Sequence, residues 1–166
     1  MLSLPVSVRT KCNIYHCDIN CYAISVSTFT KGEQMVHILN EIGTHCAVFG
    51  NHDFDHGLEV LSQWVPQTNF PWLMSNVLDN ETGRPLGEGK ITHVFDWNGH
   101  RIGLFGLVEK EWLDALPTIN PNEVTFLDFV DAGRKLTAQL KQEVSTCYLK
   151  YFDFCFSTLC YVPFSC

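Results

Sequence analysis

The stretch from Gly50 to Gly57 reads Gly-Asn-His-Asp-Phe-Asp-His-Gly, so that one amide, two imidazoles and two carboxylates fall within eight residues. Gly, Asn and Asp suit the backbone of a tight turn, but a packed turn has no need for histidines beside paired carboxylates. Imidazole beside carboxylate is a proton-transfer pair, and an Asn oxygen can bind a metal ion. The bland alternative is an Asx-rich turn between a strand and a helix, with solvated histidines.

The residues around this stretch predict the elements that position it. Upstream, Thr30-Lys31-Gly32-Glu33 is typical of a capping box, and the helix that follows has apolar residues at helical spacing until Gly43. Residues 45–49 form a short apolar run that predicts a buried strand. Downstream, the pattern predicts a helix over 58–65 and a strand over 71–77. The turn therefore lies at the carboxyl end of a strand, where catalytic loops sit in layered α/β proteins.

The second half of the chain continues the alternation of strands and helices. Asn98-Gly99 predicts a two-residue hairpin between strands over 91–97 and 101–107, after a polar surface loop over 78–89. A short helix is expected within 109–116. Asp128 predicts the cap of a longer helix, one face of which carries Phe129, Ala132, Leu136 and Leu140. Together these elements predict an α/β fold with a mixed sheet.

The octapeptide resembles the signature block of the calcineurin-like metallophosphoesterases, and Phe54-Asp55-x-Gly57 is similar to their 5′-nucleotidase branch. Residues 70–77, Phe-Pro-Trp-Leu-Met-Ser-Asn-Val, resemble the segment that follows that block in the same family. The resemblance implies a partial αββα metallophosphatase sandwich. It also implies hydrolysis of a nucleotide or sugar phosphate monoester with two divalent ions, for which Mn, Zn, Fe and Co all suit the ligand types.

The same resemblance implies a role for each residue of the block. Asn51 would coordinate a metal ion, and His52 would face the phosphate, stabilising the transition state or protonating the leaving oxygen. Asp55 would orient the ring of His52, so that the two would act as a dyad. Asp53 would support the turn. His56 is interpreted as a surface residue.

The other metal ligands of the family have no intact counterpart in this sequence. The family supplies an Asp-x-His, a Gly-Asp whose carboxylate bridges both ions, a later His and a Gly-His-x-His. The nearest substitutes are His16 and Asp18, and Asp18 lies close to where the bridging carboxylate would fall, although Cys17 stands in place of glycine. Two interpretations follow: a phosphomonoesterase that is incomplete in this chain, or a non-catalytic fragment that binds a metal or a partner weakly.

Cysteine usage divides the chain into three parts. Three cysteines precede residue 25, four lie in the last twenty residues, and Cys46 alone lies between. We therefore expect an atypical segment over 1–25, a partial metallophosphoesterase domain over 26–143 and an atypical Cys- and aromatic-rich tail over 144–166, with the two ends arising from an altered gene model, a retained intron or alternative splicing.

The cysteines also admit other interpretations. Their even number is weak evidence for a disulfide framework. Cys12-x3-His16-Cys17-x3-Cys21 could hold a zinc ion, but the spacing matches no common finger, so reduced thiols are favoured. A Cys-rich interaction module with a coincidental phosphatase motif is the least favoured hypothesis, because two separate segments resemble the same family.

Composition limits the partners. The formal net charge is −7 with 46% hydrophobic residues, which indicates a globular chain and argues against binding of nucleic-acid polymers. A small phosphorylated substrate remains compatible, because metal ions can supply the positive field. No secretory leader or membrane span is predicted, so a cytoplasmic address is expected. The sequence leaves the oligomeric state open.

Overall fold

The structure is a computed structural model. It describes residues 29–97 and 99–143 in full, and the backbone alone of Ile14–Cys17, Thr146–Cys147 and Lys150–Tyr151.

The described residues include four α-helices and ten short strands. The helices are α1 (Glu33–Glu41), α2 (Leu58–Trp64), α3 (Glu111–Asp114) and α4 (Phe129–Glu143). The strands are β1 (Ile14–Cys17), β2 (Cys46–Phe49), β3 (Trp72–Leu73), β4 (Val77–Asp79), β5 (His93–Trp97), β6 (His100–Leu104), β7 (Gly106–Leu107), β8 (Val124–Phe126), β9 (Thr146–Cys147) and β10 (Lys150–Tyr151). Among these described helices, none is long and apolar enough to cross a membrane.

The strands pair into two three-stranded and two two-stranded sheets. In the first, the order β1-β2-β3 is parallel throughout. In the second, the order is β5-β6-β9, in which β5 and β6 are antiparallel and β6 and β9 are parallel. The smaller sheets pair β4 with β8 in antiparallel and β7 with β10 in parallel orientation. The connection between Trp97 and His100 is the predicted hairpin, and Gly99 within it has a φ of +80°.

The core follows the two-residue alternation of the strands. In β2, Ala47 and Phe49 face a cluster that contains Leu39 of α1 and Leu61 of α2. The alternate residues of β2, Cys46 and Val48, pack instead against β6 in a second cluster, with Ile102 and Leu104. Successive side chains of a strand point to opposite faces, so the first sheet lies between the helices α1 and α2 and the second sheet.

The far face of the second sheet is covered by α4. Leu136 and Leu140 are buried there with Phe105 and Leu107, and Leu140 lies against the backbone of Gly103. The order of layers is helix, sheet, sheet, helix. The structure thus confirms the mixed α/β class and the partial αββα sandwich.

The predicted capping box of α1 is wrong. Lys31 and Gly32 have φ values of +51° and +96°, and no side chain caps the first turn. An N-cap residue needs extended backbone, which these left-handed residues do not provide. The hydroxyl of Thr30 instead donates to the side-chain oxygen of Gln34. The helix ends at Glu41, just before the predicted stop at Gly43, whose φ is +69°.

The predicted strand over 71–77 is two strands that belong to different sheets. After β3, the amide of Met74 donates to the carbonyl of Lys90 at 3.0 Å, and the amide of Ser75 donates to Gly106 at 2.8 Å. Neither bond is made to β2, so the chain leaves the first sheet after β3. It then pairs with β8 as strand β4. The expected surface loop over 78–89 also contains a fully buried residue, Leu86, which packs in the cluster below α2.

The long helix α4 begins as predicted. One carboxylate oxygen of Asp128 accepts hydrogen bonds from the amides of Val130 and Asp131, both at 3.0 Å. The short helix α3 falls within the expected range of 109–116.

Candidate active site

The signature stretch forms a single tight turn at the carboxyl end of β2. Gly50 is extended, and Asn51–Phe54 follows as one turn of 3-10 helix. The carboxylate of Asp53 accepts a hydrogen bond from the amide of Gly50 at 2.8 Å, and Asp53 is buried. Gly57, with a φ of +83°, ends the stretch in a backbone conformation that favours glycine and leads directly into α2.

The turn is fixed to the core by Phe54, which is fully buried. Its ring packs edge-to-face on Trp112 of α3, with centroids 5.4 Å apart, and against Phe49 of β2 at 5.6 Å. Aromatic pairs in this geometry contribute more than their buried area alone. The buried ring of Phe54 therefore anchors a turn on which the side chains of His52 and Asp55 lie nearer the surface.

His52 and Asp55 lie side by side on the outer part of this turn. Nδ1 of His52 is 3.0 Å from Oδ2 of Asp55, and the two side chains are 41% and 34% exposed. A carboxylate that accepts from Nδ1–H orients the imidazole and leaves Nε2 as the nitrogen that can exchange a proton with a substrate. Asn51 is half-buried at the start of the turn. His56 is half-buried and faces the neighbouring cleft.

Comparison with known proteins relates the chain to nucleotidases and phosphoesterases. No family model matches the chain. A 5′-nucleotidase of Vibrio cholerae is 35% identical over 108 residues, which make up 63% of this chain and 19% of that protein. The solved NAD nucleotidase of Haemophilus influenzae superposes with a TM-score of 0.62 at 23% identity, over 74% of this chain and 24% of that one.

The fold itself is shared with a calcineurin-like phosphoesterase, YfkN of Bacillus subtilis. That structure superposes with a TM-score of 0.58 at 16% identity, over 87% of this chain and 48% of that one. The chain is similar in sequence to 5′-nucleotidases and shares its fold with a calcineurin-like phosphoesterase. It spans only 19% of the length of the Vibrio relative, so the activity of such a whole protein is not transferred with the fold.

A dinuclear metal centre needs more donors than the turn supplies. Of the implied ligands, Asn51 is present in the described residues, and its amide oxygen suits a divalent ion. In the part of the chain that the structure describes, no three His, Cys, Asp or Glu side chains lie close enough together to hold a metal. The described donors therefore do not form a dinuclear centre on their own.

The other proposed ligand, Asp18, lies outside the described residues, as does the side chain of His16. The backbone pairing of β1, which contains His16 and ends just before Asp18, indicates where this segment lies in the sheet. Cys17, the last residue of β1, pairs with Phe49, the last residue of β2. In a parallel sheet the carboxyl ends of neighbouring strands meet at one edge, so β1 and the signature turn approach the same edge of the first sheet.

A cleft of about 530 Å³ adjoins the turn. It is lined by residues that end the signature stretch and start α2, by residues around Thr118 and Glu123, and by Asp79. Hydrogen bonds from the backbone amide of Thr82, and then from its hydroxyl, hold the pKa of Asp79 below its usual value. Asp79 is therefore ionised at neutral pH and makes this wall of the cleft negative.

Two residues near this site have partners that the sequence pattern did not predict. The hydroxyl of Thr118 donates to the carbonyl of Phe54, 64 residues earlier, and the side chain of Asn76 bonds to Val108, 32 residues later. Neither contact has a local spacing that would have revealed it. The resemblance of residues 70–77 to a family segment was the one signal at Asn76, and it gave no role.

Proposed function

We propose that this chain carries the signature turn of a metal-dependent phosphoester hydrolase of the 5′-nucleotidase type, which acts on a nucleotide or sugar phosphate monoester. The observation that carries the proposal is the 3.0 Å contact between His52 Nδ1 and Asp55 Oδ2, on a turn anchored at the end of a buried strand. Relatives such as the Vibrio cholerae 5′-nucleotidase support the substrate class.

His52 is the proposed proton donor. With its Nδ1 held by Asp55, Nε2 delivers a proton to the oxygen that leaves the phosphoryl group, or stabilises the charge that develops there. Asp55 fixes the tautomer and orientation of the ring. Asp53 accepts from the amide of Gly50 and holds the backbone that presents both residues.

Asn51 is the proposed metal ligand of this turn. A divalent ion such as Mn²⁺, Zn²⁺, Fe²⁺ or Co²⁺ held there would supply the positive charge that polarises the phosphoryl group of a substrate. Asp18 is proposed as a further ligand from the sequence. The two ions of the complete family site would also attract an anionic ester to a chain whose own net charge is −7. The cytoplasmic address stays a prediction from the sequence.

Calorimetric titration with Mn²⁺ and Zn²⁺ tests the proposed metal site. We expect the wild-type chain to bind a divalent ion and Asn51→Ala to weaken that binding by roughly 10-fold to 100-fold, since loss of one ligand or its support has effects of this size. Asn69→Ala is the matched control, because Asn69 is exposed and lies just before β3, at the opposite edge of the first sheet.

The Asn69→Ala control distinguishes a specific metal site at Asn51 from nonspecific metal binding. Binding that Asn51→Ala and Asn69→Ala weaken equally would contradict the role of Asn51. If the wild-type chain binds no ion, the second interpretation holds, and the chain shares the fold of the family without its metal centre.

A further inference from the structure

The backbone carbonyl of Phe54 accepts two hydrogen bonds. One comes from the amide of Gly57 at 3.0 Å, within the signature turn. The other comes from the hydroxyl of Thr118 at 2.5 Å, across 64 residues of sequence. A carbonyl held from two directions fixes the plane of its peptide group. That peptide group joins Phe54 to Asp55, the partner of His52.

Thr118 is itself held in place by its neighbours. Leu116 is buried in the cluster beneath the turn, and Ile119 packs partly buried against the same cluster. Just upstream, Trp112 of α3 contacts the ring of Phe54. The segment from α3 to Ile119 thus contacts Phe54 at two points: Trp112 touches its ring, and Thr118 bonds its carbonyl.

The His52–Asp55 pair needs such support because packing does little to hold it. The two side chains are 41% and 34% exposed, and exposed pairs of this kind contribute little to the free energy of folding. The backbone between them therefore contributes to their mutual orientation. In that backbone, the amide of Asp55 also donates to the carbonyl of His52 at 3.2 Å.

We propose that Thr118 is a positioning residue for the His52–Asp55 pair. By fixing the peptide group between Phe54 and Asp55, its hydroxyl holds the carboxylate at hydrogen-bond distance from the imidazole. This inference rests on the proposed function only for its catalytic consequence, because the contact itself is a property of the folded chain. The role is specific to the hydroxyl, since Thr118 is an exposed residue whose other atoms add little to the core.

The test compares Thr118→Val, which keeps the shape and removes the hydroxyl, with Thr118→Ser, which keeps the hydroxyl. Thr44→Val is the matched control, because the Thr44 hydroxyl also donates to a backbone carbonyl, that of Leu39 at 2.8 Å, near the opposite end of β2. NMR of the folded chain reports the ring resonances of His52 and the exchange rate of the Gly57 amide.

We expect Thr118→Val to shift the His52 ring resonances and to speed exchange of the Gly57 amide by roughly tenfold, because the shared carbonyl is released. Thr118→Ser should restore both signals, and Thr44→Val should change neither. Unchanged signals in Thr118→Val, or equal changes in Thr44→Val, would overturn the positioning role whether or not the chain is active.

Turnover gives the second readout. With Mn²⁺ and AMP, Thr118→Val should lower kcat by roughly tenfold at an unchanged KM, and Thr118→Ser should stay within about twofold of wild type, since misplacing a catalytic group affects the transition state more than the ground state. A rise in KM at constant kcat would contradict the proposal. Absence of turnover in the wild-type chain would refute the proposed function, while the NMR comparison still decides the role of Thr118.

Discussion

Two polar clusters follow neighbouring parallel strands of the first sheet, and their surroundings are opposite. The signature turn follows β2, and its His52 and Asp55 side chains bond to each other while they remain 41% and 34% exposed. Ser75 and Asn76 follow β3 and are 4% and 0% exposed. Both clusters resemble segments of the same family. Their environments indicate that the first is open to a ligand and that the second holds the architecture together.

The hydrogen bonds of Asn76 show what the buried cluster does. Its Nδ2 donates to the carbonyls of Val108 and Leu127 at 2.8 and 3.0 Å, and its Oδ1 accepts from the amide of Val108 at 3.0 Å. One side chain thus ties the end of the first sheet to the residues that follow β7 and precede α4. These three bonds all go to backbone groups, so the Asn76 amide serves the fold and is not directed at a substrate.

Replacing Asn76 should give the largest loss of stability. We expect Asn76→Ala to lower the free energy of unfolding by about 3–5 kcal/mol, because three buried hydrogen bonds are lost and their backbone partners stay buried. Urea denaturation measures the change.

Asn80→Ala is the control for that experiment, since Asn80 also bonds through both ends of its amide but is exposed. It should cost less than about 1 kcal/mol. If Asn76→Ala and Asn80→Ala lower the free energy of unfolding equally, the buried Asn76 amide has no greater structural role than the exposed Asn80 amide.

The same contrast divides the two carboxylates of the signature turn. Asp53→Ala should cost about 1–3 kcal/mol of stability, because the buried amide of Gly50 loses its acceptor. Asp55→Ala should cost less than about 1 kcal/mol, because its bond to His52 is partly exposed. Thermal unfolding of both variants checks this order. If Asp55→Ala is the more destabilising change, then Asp55 is a structural residue and not the orienting partner of His52.

The sequence predicted the elements whose signals are local. The stop of α1 at Gly43, the cap of α4 at Asp128 and the hairpin around Gly99 each depend on residues within a few positions of one another. The signature turn was predictable for the same reason. Its Gly50, Asp53 and Gly57 meet backbone requirements inside eight residues.

The features that the sequence did not predict depend on distant partners. The strand over 71–77 divides because Ser75 and Asn76 bond to residues about 30 positions later. Leu86 is buried within a polar stretch because the cluster under α2 receives it. The bond from Thr118 to Phe54 is equally remote in sequence. The local spacing of residue types does not indicate such long-range contacts, so they are seen only in the folded chain.

Turnover of AMP with Mn²⁺ tests most directly the proposal that the exposed His52–Asp55 pair on the signature turn takes part in phosphoester hydrolysis. His52→Ala should lower kcat by roughly 10²-fold to 10⁴-fold with little change in KM, the range for loss of a general acid. His56→Ala, four residues along the same turn, should keep turnover within about twofold, since His56 has no part in the proposed chemistry. Equal turnover in wild type and His52→Ala, or no turnover in the wild type, would contradict the proposal.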